Sequence, residues 1–217
     1  SSTGIILSGA IIGALAAFLS VKGNPANMGI CIACFTRDLA GALGLHRAAA
    51  VQYIRPEIIG IVIGATISSA LSKEFVPKGG SSPAIRFFLG FFAMIGALVF
   101  LGCPWRTLLR IAGGDINGIF GLIGIIIGGG IGVFFWKQNY SLGASKNYNN
   151  KFVGFLPIII SLILLALLLS KIKFSENGAI FFSESGPGSM KAPIIISLIV
   201  SIIIGFIAQK SRFCTVG

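Results

Sequence analysis

Four cysteines are the residues of this 217-residue sequence most suited to chemistry, and all of them lie in three short polar segments between apolar runs. We name these segments the cysteine boxes: MGICIACFTRD at residues 28–38, LGCPWRTLLR at residues 101–110 and QKSRFCTVG at residues 209–217. The first contains Cys31 and Cys34, the second Cys103 and the third Cys214. Free cysteines often simply fill space in a core, but the confinement of all four to polar segments favours a functional role.

An arginine lies within three residues of a cysteine in every box: Arg37 in the first, Arg106 in the second and Arg212 in the third. A thiol is a soft, weak hydrogen-bond donor, whereas a guanidinium holds oxyanions through forked hydrogen bonds. The combination predicts a binding site for a small anion with a soft end. The alternative for the arginines is ordinary anchoring at a membrane surface.

The Cys31-x-x-Cys34 spacing also occurs in redox dithiols and in zinc sites. The sequence has no βαβ pattern around it and no second C-x-x-C, and its one histidine, His46, is expected at a helix end. We therefore expect no metal and no cofactor.

The composition indicates that these boxes sit in a membrane protein. Hydrophobic residues make up 55% of the chain and charged residues 11%, and the mean hydropathy is +0.95. The net charge of +11 comes from single basic residues between apolar runs, with no basic cluster interleaved with aromatics. That distribution is typical of residues that flank membrane spans, and it excludes nucleic acid as the expected partner. The lipid bilayer is the expected surrounding instead.

Six charge-free intervals predict the membrane spans: residues 1–21, 58–72, 87–105, 116–136, 152–170 and 192–209. Most approach the roughly 20 residues that a helix needs to cross the hydrocarbon. They are apolar throughout rather than alternating, which predicts an all-α polytopic protein and not a β-barrel. Glycines recur every fourth residue in several spans, as at Gly60 and Gly64 or Gly124 and Gly128, and predict close helix packing. A glycine-lined pore is the alternative.

Two apolar stretches, residues 23–36 and 39–45, are too short to span, and we expect broken or re-entrant helices there. Five spans separate the first box from the third, so related boxes would open to opposite faces, as in an inverted repeat. The predicted organisation is a first half at residues 1–151, a reversing helix and linker at 152–192, and the start of a second half at 193–217. On this reading the 217 residues are a fragment.

The boxes resemble those of the YeeE/YedE family of sulphur-compound transporters, and most closely the YedE-related membrane proteins associated with selenium metabolism. The resemblance is carried by NMGICIACFTRDLAGALGLHRAAAVQYIRPEIIG, by GGSSPAIRF, by LGCPWR followed by AGGDING, and by SRFCTVG. It implies an inverted-repeat transporter in the bacterial inner membrane that carries thiosulfate or a selenium species. It also implies that Cys31, Cys34, Cys103 and Cys214 relay the ion through S–H hydrogen bonds, with the neighbouring arginines around them.

The sequence therefore favours a transporter, not an enzyme, for a small sulphur- or selenium-containing oxyanion. One alternative is a membrane sulphurtransferase or dithiol redox protein that uses Cys31 and Cys34. Another is a membrane subunit that recruits a soluble sulphur or selenium carrier through its basic loops, above all residues 171–191.

Overall fold

The computed structural model describes residues 2–147, 151–170 and 180–213. Eight α-helices follow one another along the described chain: α1 (Ser2–Val21), α2 (Ile32–Ala42), α3 (Pro56–Leu71), α4 (Pro83–Val99), α5 (Pro104–Ala112), α6 (Asn117–Lys137), α7 (Lys151–Leu169) and α8 (Ile194–Ser211). A 3₁₀ turn at Ala49–Val51 precedes α3. Two-residue strands, β1 (Lys78–Gly79) and β2 (Lys146–Asn147), pair antiparallel across two loops.

The prediction of an all-α polytopic membrane protein is confirmed. Among the described residues six segments are long and apolar enough to cross a membrane: Thr3–Val21, Ala49–Leu71, Pro83–Ala112, Asn117–Lys137, Phe152–Leu169 and Ile194–Ser211. Each contains or closely overlaps one predicted interval. The third is longer than predicted because α4 already begins at Pro83 and α5 continues beyond a break near Cys103.

The first cysteine box has a different secondary structure from the one we predicted. Residues 23–36 and 39–45 were expected to form two broken helices separated at the charged pair Arg37 and Asp38. Instead one helix, α2, runs through that pair, and residues 23–31 are irregular. The charge does not end the helix because Asp38 is fully buried against Arg55.

Helix α4 ends where the second box begins. Leu101 takes the left-handed conformation, with φ of 57°, and the Gly102 N–H donates to the carbonyl of Ala97 (2.8 Å). This hydrogen bond is that of a Schellman ending. Arg110 of α5 donates to the carbonyl of Phe100 (2.8 Å), at the end of α4, and to Asp115 (2.6 Å). These hydrogen bonds hold α5 against the end of α4. The guanidinium of Arg110 also lowers the pKa of the Asp115 carboxyl.

The tightest packing in the described part of the chain joins α3 to α8. A Cβ added to Gly64 would overlap the carbonyl oxygen of Ile202, and one added to Gly205 would overlap that of Ile61. The expectation of glycine-mediated packing thus holds for α3. It does not hold for α6, since added Cβ atoms at Gly124 and Gly128 would meet no described atom within 4 Å.

Candidate functional site

Two short helices begin at cysteines from different boxes. Cys31 is the N-cap of α2 and its Sγ accepts a hydrogen bond from the N–H of Cys34 (3.4 Å). Cys103 is the N-cap of α5, with Pro104 as the first helical residue. Proline suits that position because its missing N–H has no partner to lose there. Each helix therefore begins at a cysteine, and the sulphur of Cys31 accepts a capping hydrogen bond.

The structure brings these cysteines together with Cys34 in one buried cluster, which we call the thiol cluster. Cys31 lies at its centre and interacts with both Cys34 and Cys103. The exposed fractions are 0% for Cys31, 1% for Cys34 and 8% for Cys103, and all three thiols are free. Met28 and Phe35 pack around them. Cys31 and Cys103, which belong to different boxes and lie far apart in the sequence, thus share one site.

Arg106 gives the thiol cluster a positive charge. Its Nη1 donates to Cys34 Sγ (3.2 Å), so the arginine of the second box serves a cysteine of the first. Its Nε is buried and has no hydrogen-bond partner among the described residues. A buried donor without a partner is costly, which makes this N–H available to an acceptor that enters the site.

Backbone amides also face the thiol cluster. The N–H groups of Ile32, Ala33 and Arg106 interact with the sulphur of Cys103. They belong to the first turns of α2 and α5, where N–H groups have no partner within the helix and the helix dipole is positive. Two helix N-termini directed at one point form an environment that favours negative charge.

These neighbours act on Cys34, which lies outside the six candidate spans. The hydrogen bond with Cys31, together with the charge and hydrogen bond of Arg106, lowers the pKa of the Cys34 thiol below its ordinary value, although burial opposes the shift. The site thus stabilises negative charge on sulphur, as it would on an oxyanion.

An ion pair that the sequence did not reveal fixes α2 in place. Arg55 and Asp38 are both fully buried, and Arg55 donates to Asp38 Oδ2 through Nε (2.8 Å). Arg55 also donates to the carbonyls of Pro187 (2.7 Å) and Met190 (2.9 Å), and its guanidinium stacks on Phe35 at 4.7 Å. We call this the Asp38–Arg55 clamp, and it joins α2 to the segment before α8.

Arg55 was not among the predicted site residues. One signal could have found its role: Asp38 is among only six acidic residues in the chain and sits between two apolar stretches. A carboxylate in such a position requires a buried cation.

The remaining predicted residues lie elsewhere. Arg37 donates to Asp38 (2.7 Å) and acts on Cys34 only through its charge. Arg212 pairs with Glu74 (3.2 Å) with 76% of its side chain exposed. Cys214 lies outside the described residues; Phe213, which precedes it, packs its ring against Trp105 at 6.0 Å. The roles of these three residues stay predictions.

His46 lies just after α2, as predicted. Its Nδ1 accepts from the N–H of Ala48 (3.3 Å), so its Nε2 is the atom that donates to the carbonyl of Arg37 (2.9 Å). Within residues 2–147, 151–170 and 180–213, no three side chains of the metal-binding types form a group that could hold a metal ion.

Comparisons with known proteins add no identification: no family model matches the chain, and no curated protein and no solved structure matches it.

Proposed function

We propose that the protein is a membrane transporter that takes up a small sulphur- or selenium-containing oxyanion, of which thiosulfate is the simplest example. Cys31, Cys34 and Cys103 bind the ion together with Arg106, and Cys214 binds it next along the relay. The observation that carries the proposal is the convergence of three thiols, two helix N-termini and a guanidinium with an unused N–H at one buried point.

The chemistry of these groups fits the dehydration of such an ion. An oxyanion that leaves water needs hydrogen-bond donors and positive charge in return. Arg106 and the amide N–H groups provide both, while the thiols donate weakly to oxygen and contact the soft terminal sulphur or selenium through polarizable atoms. Weak donors also suit transport, because an ion that is bound too tightly does not leave.

The surrounding architecture is compatible with an inverted-repeat transporter. Irregular backbone at membrane depth is tolerated where protein or a water-filled cavity surrounds it, and residues 23–31 and 100–103 are two such breaks next to the thiols. We propose that residues 1–151 form the first half, that residues 152–192 form the reversing helix and linker, and that α8 begins the second half. The membrane is the bacterial inner membrane.

We propose that this conformation is an occluded state of the transporter. The three sulphurs are at most 8% exposed, so an ion reaches them only after neighbouring side chains move. Met28 and Met94 belong to the surrounding shell, and methionine side chains adapt easily because they are unbranched and flexible.

The burial of Cys31 and Cys34 gives less support to the dithiol alternative. Thiol–disulfide exchange requires direct attack by a thiolate on an accessible sulphur, and neither Cys31 nor Cys34 is more than 1% exposed. The carrier-recruiting alternative depends on residues 171–191, of which 171–179 lie outside the described residues.

Uptake of labelled thiosulfate and labelled selenite by bacteria that lack their own thiosulfate uptake tests the proposal. We expect uptake with the unmodified protein, at least a ten-fold loss in Cys103→Ala and Cys34→Ala, and little loss in Ile58→Val, a conservative change of a half-buried neighbour without a thiol. Full transport by both cysteine variants would refute the relay. A persulfide or disulfide on Cys31 or Cys34, found by mass spectrometry after quenching, would favour the dithiol protein instead.

A further inference from the structure

A second buried charged group lies close to the thiol cluster without belonging to it. Glu57 is in the first turn of α3, within the candidate span Ala49–Leu71, and is 1% exposed. Its Oε1 accepts hydrogen bonds from Asn24 Nδ2 (2.7 Å) and from Ser197 Oγ (2.9 Å). Its Oε2 is buried and has no hydrogen-bond partner among the described residues.

None of the charged or titratable groups around Glu57 forms an ion pair with it in the described part of the chain. Arg55 is occupied by the Asp38–Arg55 clamp. Lys191 is exposed and lies over the ring of Tyr53 at 4.9 Å. Tyr53 lies near enough to feel the charge of Glu57 but is itself neutral. Its hydroxyl is buried and has no partner in the described chain.

The helices that pack on α3 add no countercharge at this end. On α8 the nearest side chain to the carboxyl is that of Ser197, and Lys210 lies at the opposite end, beside Ser72 (3.3 Å). Residues 152–169 of α7 carry no charged side chain. On α2, Arg37 pairs with Asp38, which also binds Arg55, so these three groups keep one net positive charge that is not in ion-pair contact with Glu57 in the described chain.

A carboxylate in this position therefore has no cationic side chain in ion-pair contact with it among the described residues. The N-terminus of α3 supplies about half an elementary charge at most, and the two hydrogen-bond donors are neutral. Burying an ionised carboxylate without a cationic partner is strongly unfavourable. The free Oε2 is the atom at which a small cation would be held.

Asn24 connects this carboxyl to the thiol cluster. Its Nδ2 also donates to the carbonyl of Gly29 (3.2 Å), two residues before Cys31, and its Oδ1 accepts from the N–H of Ala192 (2.9 Å). Ile58, the residue after Glu57, packs against the thiol cluster. A change of charge at Glu57 would therefore alter the hydrogen bond that holds the backbone before Cys31.

We propose that Glu57 binds a coupling cation, H⁺ or Na⁺, which travels with the oxyanion and is sensed at the thiol cluster through Asn24. This inference rests on the proposed transport function. There is a physical reason for such coupling. An oxyanion that enters a cell with a negative interior moves against the membrane potential, and a cation that enters with it offsets that cost.

Transport in liposomes containing the purified protein tests the coupling. Labelled thiosulfate is followed under a pH gradient alone, under a Na⁺ gradient alone, and in counterflow with no gradient. For Glu57→Gln we expect counterflow within about two-fold of the unmodified protein but at least a ten-fold loss of gradient-driven accumulation. Glu74→Gln, which removes an exposed carboxylate, should behave like the unmodified protein. The gradient that drives the unmodified protein identifies the cation. Full accumulation by Glu57→Gln under the same gradient would overturn the inference.

Infrared spectroscopy in detergent tests the cation site independently of transport. It applies even if the protein moves no thiosulfate, which is the result that would refute the proposed function itself. A proton on Glu57 gives a carboxylic acid band that Glu57→Gln lacks, and Na⁺ gives a carboxylate band that shifts when K⁺ replaces Na⁺. Either band, present also in Glu74→Gln, supports the site. Identical spectra of the unmodified protein and Glu57→Gln in every buffer would overturn it. Should Glu57→Gln aggregate, Asn24→Ala serves instead, since it keeps the carboxyl and should shift its band.

Discussion

The Asp38–Arg55 clamp gives the most quantitative prediction about the fold that positions the thiols. Replacing Arg55 with Met removes its hydrogen bonds to Asp38 and to two carbonyls, and leaves Asp38 with Arg37 as its partner. Breaking a buried ion pair from one side costs about 3–5 kcal/mol. Because Arg37 remains, with only 17% of its side chain exposed, we expect the lower end, about 3 kcal/mol.

A double-mutant cycle isolates the pair itself. Asp38→Asn should also destabilise by about 3 kcal/mol, since it leaves the fully buried guanidinium without an anion. The double variant should cost clearly less than the sum, with a coupling of about 2 kcal/mol, because neither charge is then left unpaired. Arg212→Met is the matched control: its pair with Glu74 is exposed, and exposed pairs contribute about 0–1 kcal/mol.

Unfolding in detergent can be followed with a thiol-reactive fluorogenic dye, which reports when buried cysteines become accessible. Cys31 and Cys34 are almost fully buried, so their labelling should begin at lower temperature in Arg55→Met than in Arg212→Met. If Arg55→Met and Arg212→Met unfold alike, or if the two single effects simply add, the clamp does not hold α2 as described.

Three further predictions follow from the same structure. Gly64→Ala should lower the stability of the protein by about 1–3 kcal/mol because its Cβ meets the backbone of α8. Gly128→Ala, which has no described atom near its Cβ, should be neutral or stabilising by up to about 1 kcal/mol in the same thermal assay. Arg106→Gln should weaken thiosulfate binding by roughly ten- to a hundred-fold, as expected for the loss of a charged hydrogen bond of about 1.5–3 kcal/mol. Calorimetry would measure the affinity, and an unchanged affinity would show that Arg106 does not bind the ion. Met94→Leu, a change in the shell of the thiol cluster, should slow uptake while leaving equilibrium affinity nearly unchanged, and a large loss of affinity instead would contradict the occluded-state interpretation.

The spans were the part of the fold most accessible from sequence. A charge at the centre of a bilayer costs several kcal/mol, so charge-free intervals locate membrane helices without any knowledge of packing. The same rule failed at α2. There the clamp compensates Asp38 with Arg55, which is 17 positions away, and no local pattern reveals a partner at that separation.

The site was predictable in composition but not in arrangement. Confinement to polar boxes pointed to all four cysteines, of which three meet among the described residues. Each arginine was noted only beside the cysteine of its own box. Arg106 instead reaches Cys34 because α5 starts beside α2. Likewise, the fourth-residue glycine pattern appears in both α3 and α6, but among the described residues a neighbouring helix packs on Gly60 and Gly64 and none packs on Gly124 and Gly128. Which helix packs on which is a tertiary property that spacing within one helix does not encode.

Anomalous diffraction from the protein bound to selenosulfate, the selenium analogue of thiosulfate, would test most directly whether the thiol cluster binds the oxyanion. The selenium marks the soft end of the ion. We predict an anomalous peak in contact with the sulphur atoms of Cys34 and Cys103, with an oxygen of the ion accepting from Arg106 Nε. A peak elsewhere, or none beside these sulphurs in a preparation that transports selenosulfate, would contradict the proposal.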